Sequence, residues 1–144
     1  ATVVLIRTDE FAGIEWLILA IGTTFATDTG AYMVGRAIGR HKMVPAISPA
    51  KTWEGAVGGL LASVAATTTI VALVDALPIS YGQSALLGMG IGVIGQIGDL
   101  IESKLKRMAK VKDSGFLIPG HGGVLDRLDS LVVVFPLVYY ASRV

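Results

Sequence analysis

Two stretches of this chain run without a charge for the length of a bilayer: Gly55 to Val74 and Ala76 to Gly98. A helix needs about 20 mainly apolar residues to cross the hydrocarbon core, so each stretch is a candidate span. That feature excludes an ordinary soluble domain and points to an all-α, polytopic membrane helix bundle. Composition agrees, with 53% hydrophobic and only 16% charged residues, against roughly 25% charged in soluble domains. Glycine, 18 residues here, is also better tolerated in membrane helices than in soluble ones. Cysteine is absent, which removes disulfides, thiolate chemistry and Cys-based zinc sites.

Taken in order, residues 1–13 form a short lead-in. The chain starts at Ala1, which suggests a fragment or a processed product. Acidic rather than basic residues precede the first apolar stretch, unlike a cleavable signal peptide. A first helix is expected over Ile14–Ile38, interrupted by Asp28. Residues 39–52, GRHKMVPAISPAKT, read as a basic loop with two prolines. A second helix is expected over Trp53–Leu77, then a tight turn through Tyr81-Gly82. A third should cover Gln83–Met108, and a fourth should start near Leu125 with Pro136 inside it. That makes about four transmembrane helices.

The basic residues orient this threading. Arg36, Arg40, Lys42 and Lys51 fall between the first two helices. Lys104, Lys106, Arg107, Lys110, Lys112 and Arg127 fall between the last two, leaving only Arg7 and Arg143 for the opposite side. The positive-inside rule makes the basic face cytoplasmic. Asp28, Glu54, Asp99, Glu102, Asp126 and Asp129 then all lie toward that same face. Carboxylates at such depth are costly and usually mark a functional site.

Helical phase sharpens the picture. Gly88, Gly92, Gly95 and Asp99 share one face of the third helix, and Thr24, Asp28, Ala31 and Gly35 share one face of the first. Small residues allow close helix approach, so Asp99 should point into the bundle; Gly55 and Gly59 add a packing pair on the second helix. Inward carboxylates without His or Cys partners suit a hard cation, Mg²⁺ before Zn²⁺. Pairing of Asp28 and Asp99 with Arg or Lys is the alternative, and Asp129 could equally stabilise a helix N-terminus.

The one long polar segment, Ser103 to Asp129, reads SKLKRMAKVKDSGFLIPGHGGVLDRLD. Basic side chains, carboxylates and a glycine turn at the rim of an apolar bundle suggest a site for phosphates and a metal. Lys106, Arg107 and Lys112 could hold phosphates, or set topology and meet anionic head groups. Lys51, in SPAKTWEG, could contact phosphate or serve as an interfacial cation beside Trp53. His121, between glycines, could touch substrate or make a turn hydrogen bond. His41 reads as plain loop.

This segment resembles the signature of the phosphatidate cytidylyltransferases, the CDP-diacylglycerol synthases. The fixed positions are met by Ser103, Lys106, Arg107, Lys112, Asp113, Gly115, Pro119, His121, Gly122, Gly123, Asp126, Arg127 and Asp129. TDTGAYMVGR with Asp28, SPAKTWEG with Lys51 and GQIGDLIESKLKR with Asp99 are similar to the same family, so the likeness runs from about Phe25 onward. Members carry further membrane helices before this region. Residues 14–144 therefore correspond to a membrane-embedded catalytic domain, the C-terminal half of the usual chain.

The resemblance implies a nucleotidyltransferase of phospholipid biosynthesis that joins CTP and phosphatidate into CDP-diacylglycerol and pyrophosphate. Asp99 and Asp126 would be the principal Mg²⁺ ligands, alone or in a two-cation centre, with Asp28 and Asp129 in support. Lys51, Lys106, Arg107, Lys112 and Arg127 would offset phosphate charge, with Asp113 and His121 in the same signature. Gly122 and Gly123 would bring backbone N–H groups to a phosphate. The implied partners are CTP, phosphatidate and membrane lipid, with no nucleic acid; a homodimer is compatible with this reading. The rival functions are a CTP-dependent lipid-alcohol kinase of the polyprenol type, a cation-coupled transporter module, and a purely structural half.

Overall fold

The computed structural model describes residues 13–75, 77–108 and 125–143, with side chains for all of these but 125–130. Four helices carry the fold: α1 (Gly13–Ile38), α2 (Trp53–Leu73), α3 (Tyr81–Met108) and α4 (Leu125–Ala141). Between α1 and α2 stands an antiparallel hairpin of β1 (Lys42–Val44) and β2 (Ser48–Thr52). Lys42 pairs with Thr52 and Val44 with Ser48, with an irregularity in register between them. Helices α1, α2 and α3 are each long and apolar enough to cross a bilayer, which makes this a membrane protein; α4, with 17 residues, is shorter.

Local chemistry sets the helix ends. Thr52 caps α2 from an extended conformation, its side chain accepting the Gly55 N–H at 3.1 Å, which satisfies a donor that has no partner within the helix. The same helix stops at Leu73, four residues before the expected Leu77. Val74 is already extended, and Leu77 precedes Pro78, which disfavours helical geometry for the residue before it. Helix α3 starts at Tyr81 rather than Gln83, because Ser80 and Gln83 form a reciprocal capping box. The Ser80 hydroxyl accepts from Gln83 N at 3.3 Å, and the Gln83 side chain accepts from Ser80 N at 2.9 Å. Tyr81 and Gly82 therefore open the helix instead of forming a turn.

The expected plain loop at 39–52 is instead a hairpin. Pro49 is tolerated in β2 because a two-stranded ribbon consists entirely of edges. Trp53 N donates to the His41 carbonyl at 3.0 Å, so the ribbon closes directly onto the first turn of α2. His41, read from sequence as bland, is bonded to Glu54 twice over. Its backbone N–H reaches both carboxylate oxygens at 3.2 Å, and its Nδ1 lies 2.6 Å from Oε1.

Helices α1 and α2 make the most extensive contact of the bundle. Glycines permit it: a Cβ at Gly30 would lie 2.5 Å from the Ala62 Cβ, and one at Gly55 only 2.7 Å from the Ala31 carbonyl. The glycine face of α3 divides between two neighbours. Gly88 and Gly92 meet Ser63 of α2, whereas Gly95 meets Val134 of α4. Polar links also cross between helices: Ser63 Oγ donates to the Gly88 carbonyl at 2.6 Å, the Thr23 and Thr67 hydroxyls lie 3.1 Å apart, and the Gln96 amide donates to the Ala56 carbonyl at 3.1 Å. Trp16, Leu19, Val71, Leu87, Ile91, Val134 and Val138 form the buried apolar core. They come from the start of α1, the end of α2, the start of α3 and the later turns of α4, so the core occupies the end of the bundle away from the hairpin.

Candidate active site

At the hairpin end the helices part around a cavity of about 660 Å³, within the size range of small-molecule sites. Its walls are the second half of α1, the hairpin, the start of α2 and the second half of α3. Asp28 and Asp99, from α1 and α3, both open onto it, as does Lys51 from β2. Three residues singled out from separate stretches of sequence therefore meet in one space. The Lys51 Nζ lies 2.5 Å from Asp99 Oδ2. This is the ion pair weighed above as the alternative to a metal-ligand role for Asp99. The side chains as wholes are 24% and 37% exposed, but the Lys51 ammonium nitrogen is shielded from solvent, so the pair is open to water from the Asp99 side.

Arg36, Lys42, Tyr32, Gln96 and Ser103 line the same cavity, and sequence reasoning gave none of them a role there. Arg36 donates through Nη1 to the Tyr32 hydroxyl at 2.7 Å and packs over that ring at 5.9 Å from its centroid. The signal was available in helical phase: Asp28, Tyr32 and Arg36 follow at steps of four, as do Asp99 and Ser103. Arg36, Lys42 and Lys51 line the same space as Asp28 and Asp99, an excess of one positive charge. Such a wall favours a polyanion, and Arg36 offers a planar fork suited to phosphate.

Lys106 and Arg107 stand on the following turn of α3 and do not line the cavity. Lys106 pairs with Glu102 one turn earlier at 2.6 Å. Arg107 Nε donates to the Ile47 carbonyl at 3.3 Å, tying α3 to the tip of the hairpin. Successive contacts of α3 with α4, Gly90 to Leu137, Gly95 to Val134 and Gly98 to Val133, run antiparallel. The first turns of α4, with Asp126, Arg127 and Asp129, consequently belong to the cavity end. The side chains of these three residues lie outside the described residues, as do Lys112, Asp113, His121, Gly122 and Gly123.

Among the described residues no group of three or more His, Cys, Asp or Glu side chains is gathered tightly enough to hold a metal. The donors that do face the cavity, Asp28 and Asp99, are oxygen donors only. That chemistry fits a hard cation of the Mg²⁺ kind, which commonly takes one or two carboxylates and completes its shell with water and substrate phosphates.

A family model described as the cytidylyltransferase family matches residues 1–144. The phosphatidate cytidylyltransferase of Bacillus subtilis (strain 168) is 45% identical over 135 residues, which is 94% of this chain and 50% of that protein. That of Brucella suis is 45% identical over 135 residues, 94% of this chain and 49% of the relative. In Staphylococcus saprophyticus the identity is 44% over 126 residues, 88% and 48% of the two chains. The chain thus spans about half the length of the curated relatives it matches.

Proposed function

The chain belongs to the cytidylyltransferase family, and from that premise we propose that it is the catalytic membrane part of an enzyme joining CTP to phosphatidate. The products are CDP-diacylglycerol and pyrophosphate. The observation that carries the reading is the cavity itself, where Arg36, Lys42 and Lys51 line the same space as Asp28 and Asp99 at one end of an apolar bundle. A water-soluble triphosphate and a lipid phosphate can meet at such a membrane edge. By the distribution of basic residues that edge faces the cytoplasm, where CTP is found.

The reaction is an in-line displacement. An oxygen of the lipid phosphate forms a bond to the α-phosphorus of CTP, and the bond from that phosphorus to the bridging oxygen breaks. Pyrophosphate leaves with the electron pair. The attacking oxygen is already anionic, so neither a Ser or Cys nucleophile nor a general base is required. The obstacles are mutual repulsion of the phosphates and their alignment, both met by fixed cations in a preorganised cavity. Lys51, Arg36 and Lys42 offset phosphate charge from three elements. As the family resemblance implies, Lys106, Arg107, Lys112 and Arg127, with Gly122, Gly123 and His121, would offset further phosphate charge, and Asp113 belongs to the same segment. Asp99 and Asp28, with Asp126 and Asp129 from α4, would hold Mg²⁺, which when bound neutralises charge on the triphosphate and on the leaving pyrophosphate. The cavity's place at one end of the helices argues against a transporter, whose sites gather near the midplane.

The test is turnover of CTP labelled in its α-phosphate, on the full-length protein in detergent with Mg²⁺ and either short-chain phosphatidate or a polyprenol as acceptor. Label passing into the lipid product is the expected result. Label released as CDP with the polyprenol would instead assign a lipid-alcohol kinase, and no turnover of CTP with either acceptor would overturn both.

A further inference from the structure

A second hollow, of about 340 Å³, lies between α2 and α3 and shares Met43, Ala56, Gln96 and Leu100 with the polar cavity. Its other walls are Trp53, Val57 and Leu60 of α2 and Val93 and Ile97 of α3. Gln96 is the single polar side chain among them, and its amide is already donating to the Ala56 carbonyl at 3.1 Å. From Leu100 to Val93 the groove follows α3 for seven residues, about 10 Å at 1.5 Å per residue. It runs away from the hairpin end and toward the middle of the span. Trp53 stands exposed at its mouth, the level of the membrane–water interface where such rings gather.

A cationic cavity opening sideways into an apolar groove is the complement of one kind of molecule, with an anionic head and a hydrocarbon tail. We infer that the groove between Trp53, Val57 and Leu60 and Val93, Ile97 and Leu100 holds one acyl chain of the phosphatidate whose phosphate occupies the cavity. The inference rests on the phosphatidate reading above and adds to it the side of the bundle from which the lipid enters. Ala56 sits where the two spaces join, and its small side chain leaves room for the chain to pass. Ordinary membrane lipid would wet the outer faces of α2 and α3 without preference for a head group. An acyl chain anchored by its phosphate would not be so indifferent.

Two measurements on the full-length protein decide this. First, phosphatidate with a diazirine at the end of one acyl chain is photolysed in phosphatidylcholine nanodiscs containing the protein. Labelling centred on Val57–Leu60 and Val93–Ile97, and displaced by unlabelled phosphatidate but not by added phosphatidylcholine, is expected. Labelling spread evenly over outward residues such as Leu61 and Leu86, labelling that phosphatidylcholine displaces equally, or none in the groove would overturn the inference. Second, Leu60→Trp, which fills the groove, should raise KM for a long-chain phosphatidate roughly tenfold, what the lost burial of about two methylenes amounts to. KM for a short-chain analogue should move less than twofold, and Leu61→Trp should change neither. An equal loss for both chain lengths would reduce Leu60 to a structural role and overturn the inference. Absence of any cytidylyl transfer by the unaltered protein sinks the function proposed above; the photolabelling needs no turnover and judges the groove separately.

Discussion

Lys51 and Asp99 hold each other at 2.5 Å from elements far apart in sequence. Their exposure decides what the pair is for. Partly solvated ion pairs contribute about 0–1 kcal/mol to stability, too little to explain two charges at the edge of an apolar bundle. The chemistry of phosphates explains them better, since the Lys51 ammonium, shielded from bulk solvent, lies on the wall of a cavity where an entering phosphate can take the place of the Asp99 carboxylate. Asp99→Asn should therefore leave thermal unfolding in detergent within a few degrees of the parent while lowering CDP-lipid formation by about 100-fold or more, the scale of losing one well-placed electrostatic group. Full activity in the variant would remove Asp99 from the reaction. Arg36 is the instructive omission at this scale. As a loop-flanking cation it was counted only for topology, although its phase relative to Asp28 turns it into the cavity.

Elements meet here through small residues rather than interlocking large ones. Gly30 against Ala62 is a direct test, because an added methyl would sit 2.5 Å from its neighbour. Gly30→Ala should destabilise the bundle by about 1–3 kcal/mol, the usual cost of overpacking. Adding Ala62→Gly should recover a large part of the loss, as read by unfolding in detergent. If the double variant is no better than the single, the contact is not what limits the approach of α1 to α2. The helices were legible from sequence because charge-free runs and the polar breaks between them mark the spans, though not their ends to the residue: the second stops at Leu73 and the third starts at Tyr81. The ribbon at β1 and β2 was not. Its strands are short, SPAKT contains a proline, and no alternation of apolar and polar residues announces it. The start of α3 could have been read from Ser80 and Gln83, whose spacing is that of a capping box. Asp28, Lys51 and Asp99 were found by depth in the threading. Arg36 and Tyr32 were missed because their phase relative to Asp28 was not followed, and Lys42 because the hairpin that carries it was read as a loop. The expectations for Lys112, Asp113, His121, Gly122 and Gly123 lie outside the described residues.

For the molecule as a whole, the threading makes a checkable claim about sides. The stretch is free of cysteine, so single cysteines can be introduced into it one at a time. Ala46→Cys, at the hairpin, should react with a membrane-impermeant maleimide only when the cytoplasmic face is accessible, whereas Asp75→Cys should react only from the opposite side. Reversal of both would invert the proposed orientation; reaction of both from one side would break the antiparallel arrangement of α1, α2 and α3 across the bilayer. The apolar core at Trp16, Leu19, Ile91 and Val138 and the charged cavity at Asp28, Lys51 and Asp99 lie at opposite ends of the same helices. Evolutionary freedom should accordingly be graded by depth: the half that keeps the chain folded and the half that chooses its ligands can drift almost independently. A new head-group preference can then arise near the hairpin without first having to be rescued by compensating changes in the interior.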